Sequence, residues 1–243
     1  MRRLPVLYAV AAGTIFVLAG CRRPAQESAE QPAEAYAPVI DAARFVARVD
    51  NQYFPLVPGT EFVYQTPDGG ERVEVRVTDE TKTIMGVVCT VVFSREFEDG
   101  DLVEETADWY AQDGDGNVWY FGEDTKEYRD GAVVSTAGSW QAGVDGAQPG
   151  IIMQGTLAVG EPYRQEYLAG VAEDMGEVLS LVESVDVPYG SFERVLETKD
   201  WTPLEPGDVE HKYYAPGVGL VLEDEGGNRV ELISVSSERG EMN

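Results

Sequence analysis

Asp108-Trp109-Tyr110-Ala111-Gln112-Asp113-Gly114-Asp115-Gly116-Asn117-Val118-Trp119-Tyr120-Phe121-Gly122-Glu123 reads as a β-hairpin, and this reading decides the fold class. Aromatic and β-branched residues flank an Asp-Gly-Asp-Gly-Asn core, which supplies the positive-φ positions of a tight turn. The arrangement returns in Lys212-Tyr213-Tyr214-Ala215-Pro216-Gly217-Val218-Gly219-Leu220-Val221-Leu222-Glu223, again an aromatic pair, an alanine, a glycine turn and an apolar strand.

Working outward, short alternating runs separated by turn residues continue in both directions. Val73, Val75 and Val77 alternate with Arg72, Glu74 and Arg76, and Val87–Glu98, Leu102–Ala111, Val118–Gly122 and Ala132–Ser135 follow. No stretch holds a helical period, so the expected class is all-β, an antiparallel meander forming a curled sheet, barrel or sandwich. An offset of 104 residues sets Gly86 on Gly190. It also sets Val91 on Val195, Arg95-Glu96 on Lys199-Asp200, and Trp109-Tyr110-Ala111 on Tyr213-Tyr214-Ala215. The expected domain is therefore one unit over 51–243 made of two related halves, 59–136 and 156–236. Ala137–Gly155, rich in glycine and without alternation, reads as a long loop joining them.

Residues 1–20 carry Arg2 and Arg3, then an uncharged run from Leu4 to Ala19, as a signal peptide does. The run is shorter than the roughly 18 to 20 apolar residues that cross a bilayer. Leu18-Ala19-Gly20-Cys21 resembles a bacterial lipobox, which implies cleavage before Cys21 and lipid attachment to its sulfur. A polar segment over 21–50 then reads as a flexible tether, with one short amphipathic patch near Val39–Val49. The expected partner through this anchor is a membrane, and the expected location is the extracytoplasmic face of the cell envelope, at the outer membrane if the cell has two.

The chain carries 44 acids against 18 bases, a net charge of −26. With no basic stripe, nucleic acid is excluded as a partner. Cys89 is the sole cysteine beyond Cys21, so no intramolecular disulfide forms once Cys21 is lipidated. Val87, Cys89, Val91, Phe93 and Phe97 share one strand face, which makes Cys89 a buried residue and not a nucleophile.

Three constellations could carry chemistry. Asp113, Asp115, Asn117 and Asp124 imitate calcium-loop spacing, but Val118 stands where the loop needs Gly, and the flanks are strands; a plain hairpin turn fits better. His211, the only histidine, has no Gly-x-Ser-x-Gly nucleophile and no zinc-binding companions. Acid pairs such as Glu96 with Glu98, Glu104-Glu105 and Glu173-Asp174 would suit a glycosidase, although 44 acids produce pairs by chance. No catalytic residue, metal ligand or cofactor site is assigned.

Asn51–Gly59, Trp109–Asp113, Gly116–Glu123 and Tyr213–Val221 resemble recurrent segments of uncharacterised exported bacterial proteins. The resemblance spans most of the mature domain and implies an extracytoplasmic location and a β-rich fold. It carries no activity. The expected role is non-catalytic: a binding or scaffold protein for an apolar small molecule or a protein partner, with Tyr110 and Tyr214 as binding residues. A hydrolase using a carboxylate pair and a cation-dependent adhesion module are the alternatives. Within each aromatic pair one ring should face the core and one the opposite side. Trp109 and Tyr213 are the expected inward members, because Trp109 shares parity with Val103, Ala107 and Ala111.

Overall fold

The computed structural model describes residues 36–237, so the expected signal peptide and the expected lipid attachment at Cys21 lie outside the described residues. A single 3-10 turn, Ala42–Arg44, is capped by Asp41, whose carboxylate accepts from the Ala43 amide. It stands where the sequence pattern allowed a longer helix. The hairpin of β1 (Val49–Asn51) and β2 (Phe54–Leu56) follows.

The main sheet opens with β3 (Thr60–Gln65), β4 (Glu71–Ile84), β5 (Val87–Glu98), β6 (Asp101–Gln112) and β7 (Val118–Arg129), each paired with the next in an antiparallel meander. β8 (Ala132–Ser135) and β9 (Trp140–Gln141) both pair with β7. β10 (Gln148–Met153) extends the sheet beyond β7. A second meander runs through β13 (Met175–Val187), β14 (Gly190–Trp201), β15 (Glu210–Ala215), β16 (Gly219–Glu225) and β17 (Asn228–Ser237), and β17 returns to pair with β3. The two remaining strands, β11 (Tyr163–Arg164) and β12 (Glu166–Tyr167), are one kinked segment. Its first part pairs with β13 and its second with β10, so it spans the gap between the sheet's two ends. The all-β reading therefore holds in the form of an antiparallel sheet nearly closed into a barrel, with one seam.

Two expectations change. The Ala137–Gly155 segment is not simply a loop, because β10 is a strand of the sheet. The backbone approach there depends on glycine: a Cβ on Gly150 would lie 2.3 Å from the Gln165 carbonyl carbon. Ordered chain also begins well before residue 51. Tyr36 donates to the Pro149 carbonyl at 3.0 Å, and Val46 donates to the Gln112 carbonyl at 2.9 Å. The Gln112 side-chain oxygen in turn accepts from the amides of Asp50 and Asn51.

Strand alternation gives the barrel two faces. On the inside, Val73, Val75 and Val77 of β4 face the lumen as expected, together with Val92, Phe62, Leu220 and Val230. On the outside, Ile84, Val87, Cys89, Trp109, Ala111 and Phe121 form a separate apolar cluster covered by Ile40, Phe45, Ala142 and Ala147. Phe45 meets Phe121 edge-on, with ring centres 5.6 Å apart. Trp109 is thus buried in a core cluster, as expected of the inward member of its pair, but this core lies on the outer face of the barrel, where distant segments fold over it. Its partner across the strand is Val91, while the lumen-facing Asp108 pairs with Val92. Cys89 is a free, fully buried thiol in the same outer cluster, and burial pushes its pKa up to about 12.

Candidate functional site

The lumen contains a cavity of about 400 Å³. Because β4, β5, β6, β15, β16 and β17 all send alternate residues into it, its chemistry is set by strand parity and differs sharply between its ends. At the end where β1 and β2 plug the barrel, Phe54, Leu56, Val77, Val92, Tyr110 and Tyr214 line it. Phe54 sits between the two tyrosines, 5.3 Å from the ring of Tyr110 and 6.4 Å from that of Tyr214. Tyr110 stacks on Tyr120 at 4.9 Å, and Tyr120 meets Trp140 edge-on at 5.4 Å. Both Tyr110 and Tyr214 therefore face the cavity, while Trp109 and the half-buried Tyr213 face outward.

The other end is acidic. Among the described residues that line it, eleven are Asp or Glu and one, Lys212, is cationic. Lys212 lies 3.0 Å from Glu210, 3.6 Å from Asp200 and 3.9 Å from Glu223. Burial works against its charge, but these carboxylates outweigh burial and raise its pKa. Glu96, Glu104, Asp108 and Glu123 form a second group, and among the described residues none of them has a salt-bridge partner. The register sets Glu96 opposite Glu104 and Asp108 opposite Glu123. Burial, reinforced by Glu104, Glu71 and Glu223, pushes the Glu96 carboxyl up to about 8. Burial also takes Glu104 to about 7, against the hydrogen bond from Thr106.

Asp108 and Glu123 both lie within hydrogen-bond distance of the Tyr120 hydroxyl, at 2.6 and 3.0 Å. One phenolic proton cannot serve both, so the second contact requires a proton on a carboxyl. Glu123 supplies it, since burial and the neighbouring Asp108 hold its pKa well above the usual range.

The other nominated groups are engaged elsewhere. The Asp113 carboxylate accepts from the amides of Asp115 and Asn117, the Asn117 side chain and the Trp119 indole. Asp115 pairs with Arg44, and Asp124 lies near Lys126. This turn is thus a dock for the N-terminal segment, and no group of three or more His, Cys, Asp or Glu among the described residues is placed to hold a metal ion. His211 contacts Glu197 at 2.8 Å and does not line the cavity.

Sequence reasoning paired Glu96 with Glu98 but missed the convergence of Glu96, Glu104, Asp108 and Glu123. The available signal was parity: Glu96 shares it with Val92, and Asp108 with Tyr110.

No protein-family model matches the sequence, and no curated protein matches it. Among solved structures, the crystal structure of a "putative lipoprotein" from Parabacteroides distasonis ATCC 8503 is similar at a TM-score of 0.40 with 12% identity. The likeness covers 76% of this chain and 99% of that one. At this level it assigns neither fold nor role.

Proposed function

We propose that this chain is a lipid-anchored, extracytoplasmic barrel that binds a small molecule in its lumen and performs no chemistry on it. The observation that carries the reading is the internal cavity of about 400 Å³ with an aromatic end built from Phe54, Tyr110 and Tyr214. This volume falls in the range of small-molecule sites, and barrels of modest size hold ligands in this way. Attachment through Cys21 rests on the Leu18-Ala19-Gly20-Cys21 motif. In this reading Tyr110 and Tyr214 are binding residues, packing against the apolar part of the ligand.

Titration with N-phenyl-1-naphthylamine, a neutral apolar fluorophore, tests it. Saturable binding to one site is expected, weakened by Tyr110→Ala or Tyr214→Ala. Absence of binding, with no small molecule retained in native mass spectra of protein from its own host, would sink the proposal.

A second reading, hydrolysis, draws on Asp108 and Glu123 converging on Tyr120. Turnover of aryl glycosides that is abolished in Asp108→Asn and Glu123→Gln would favour it over binding alone.

A further inference from the structure

We infer that the ligand of the lumen is an organic cation, an apolar body bearing a protonated amine, with its ammonium held among Glu96, Glu104, Asp108 and Glu123. This rests on the lumen being a binding site and adds the chemical class of its occupant. The first support is charge. Lys212, the one lining cation among the described residues, is already engaged by Asp200, Glu210 and Glu223, which leaves Glu96, Glu104, Asp108 and Glu123 without a cationic partner among the described residues.

The second support is the register. The register sets two pairs of carboxyl groups facing each other in the interior, Glu96 with Glu104 and Asp108 with Glu123. Two facing carboxylates repel, so each pair needs a positive charge or a retained proton between them. A bound ammonium would take the place of that proton.

The third support is an unsatisfied acceptor. Glu104 Oε2 is closed off from solvent and has no hydrogen-bond donor. An ammonium brings three donors and no acceptor, which is what such a surface lacks. The acids are strung along strands without metal-binding geometry among the described residues, which separates an organic amine from a metal ion. The neighbouring rings of Tyr110, Tyr120 and Phe54 supply an apolar and π-rich wall for the rest of the molecule.

Three probes that share a dansyl group test the inference at neutral pH and low salt: dansylcadaverine as the cation, N-butyl dansylamide as the neutral form, and a dansylated undecanoic acid as the anion. The cation should bind at least about tenfold more tightly than the neutral probe, as expected for one desolvated charge-assisted contact. Glu96→Gln/Glu104→Gln should abolish that preference while leaving neutral-probe affinity in place. Asp108→Asn/Glu123→Gln provides a second lumen variant, and circular dichroism checks that each is folded. Asp130→Asn/Glu193→Gln strips the same charge from exposed positions and should leave the preference intact. Equal binding of cation and neutral probe would overturn the charge class while leaving the lumen a binding site. Failure of all three probes would overturn both readings. A preference lost equally in the surface variant would reduce the effect to general attraction by an acidic protein and overturn the inference.

Discussion

Glu96 and Glu104 face each other from β5 and β6, and neither has an ion-pair partner among the described residues. Such residues make stability depend on protons. Glu96 is faced by Glu104, Glu71, Glu223 and Glu98; Glu104 by Asp108 and Glu127, with Thr106 donating to it; Glu223 by Glu210, Lys212, Asp200 and Glu71. In the folded chain Glu96 and Glu223 titrate near 8, Glu104 near 7 and Asp108 near 6, burial being the largest cause in each case. In the unfolded chain carboxyls titrate at about 4. A carboxyl raised on folding holds its proton more tightly in the native state. Its contribution is fully present below the unfolded value and is lost as pH climbs through the folded one. The melting temperature should therefore fall between about pH 5 and about pH 8, and Glu96→Gln/Glu104→Gln should flatten that fall and raise the value at the alkaline end. Scanning fluorimetry across buffers measures this; a melting temperature that rises over the same interval would contradict it.

At the scale of elements, the β6–β7 hairpin shows how much of a strand can be read locally and where such reading stops. Turn chemistry placed the hairpin correctly, and the alternation of Trp109 and Tyr110 sends their rings to opposite faces. Trp109 does enter a core, but not the lumen, and Tyr213 is not the buried member of its pair, because parity says which residues share a face and not which face is the lumen. Burial does not settle it either. Trp109 is 6% exposed on the outside, under Ile40, Phe45 and the 142–147 segment, none of which is near it in sequence. The seam is the second case. β10 and β12 approach closely only because residue 150 lacks a side chain. Gly150→Ala drives a methyl group into the Gln165 backbone and should cost about 1 to 3 kcal/mol, as overpacking does. Hydrogen exchange should then accelerate at residues 163–167 before it does in β4–β6. Uniform protection across the seam would show that closure does not depend on this contact.

On the scale of the whole molecule, the barrel is closed by strands from both ends of the domain, with β17 against β3 and the kinked 163–167 segment across the seam. The N-terminal segment reaches this seam as well: Tyr36 donates to Pro149, and Arg164 stacks over the rings of Tyr36 and Tyr167, 5.6 and 4.6 Å from their centres. A chain tethered through Cys21 would thus enter the barrel beside its seam. Cys21→Ser should move the protein from the membrane fraction to the soluble fraction, or leave it as unprocessed precursor. Membrane retention of this variant with Met1 still in place would instead identify a signal anchor.

Sequence alone determined the all-β class, the hairpin at Asp108–Glu123, the inward valines of β4 and the burial of Cys89. Period-two alternation and positive-φ turns are local properties, and a few adjacent residues suffice to specify them. Tertiary structure decided which parity of β5 and β6 faces the lumen, that Ala137–Gly155 contributes a strand, and that Tyr110 and Tyr214 look into one cavity. It also decided that Glu96, Glu104, Asp108 and Glu123 converge while the Asp113 turn spends its carboxylate on neighbouring amides. The physical reason is closure. A β-strand presents two faces of nearly equal standing, and the inside is defined only when strands distant in sequence curl round and segments such as 40–45 and 142–147 cover part of the outside.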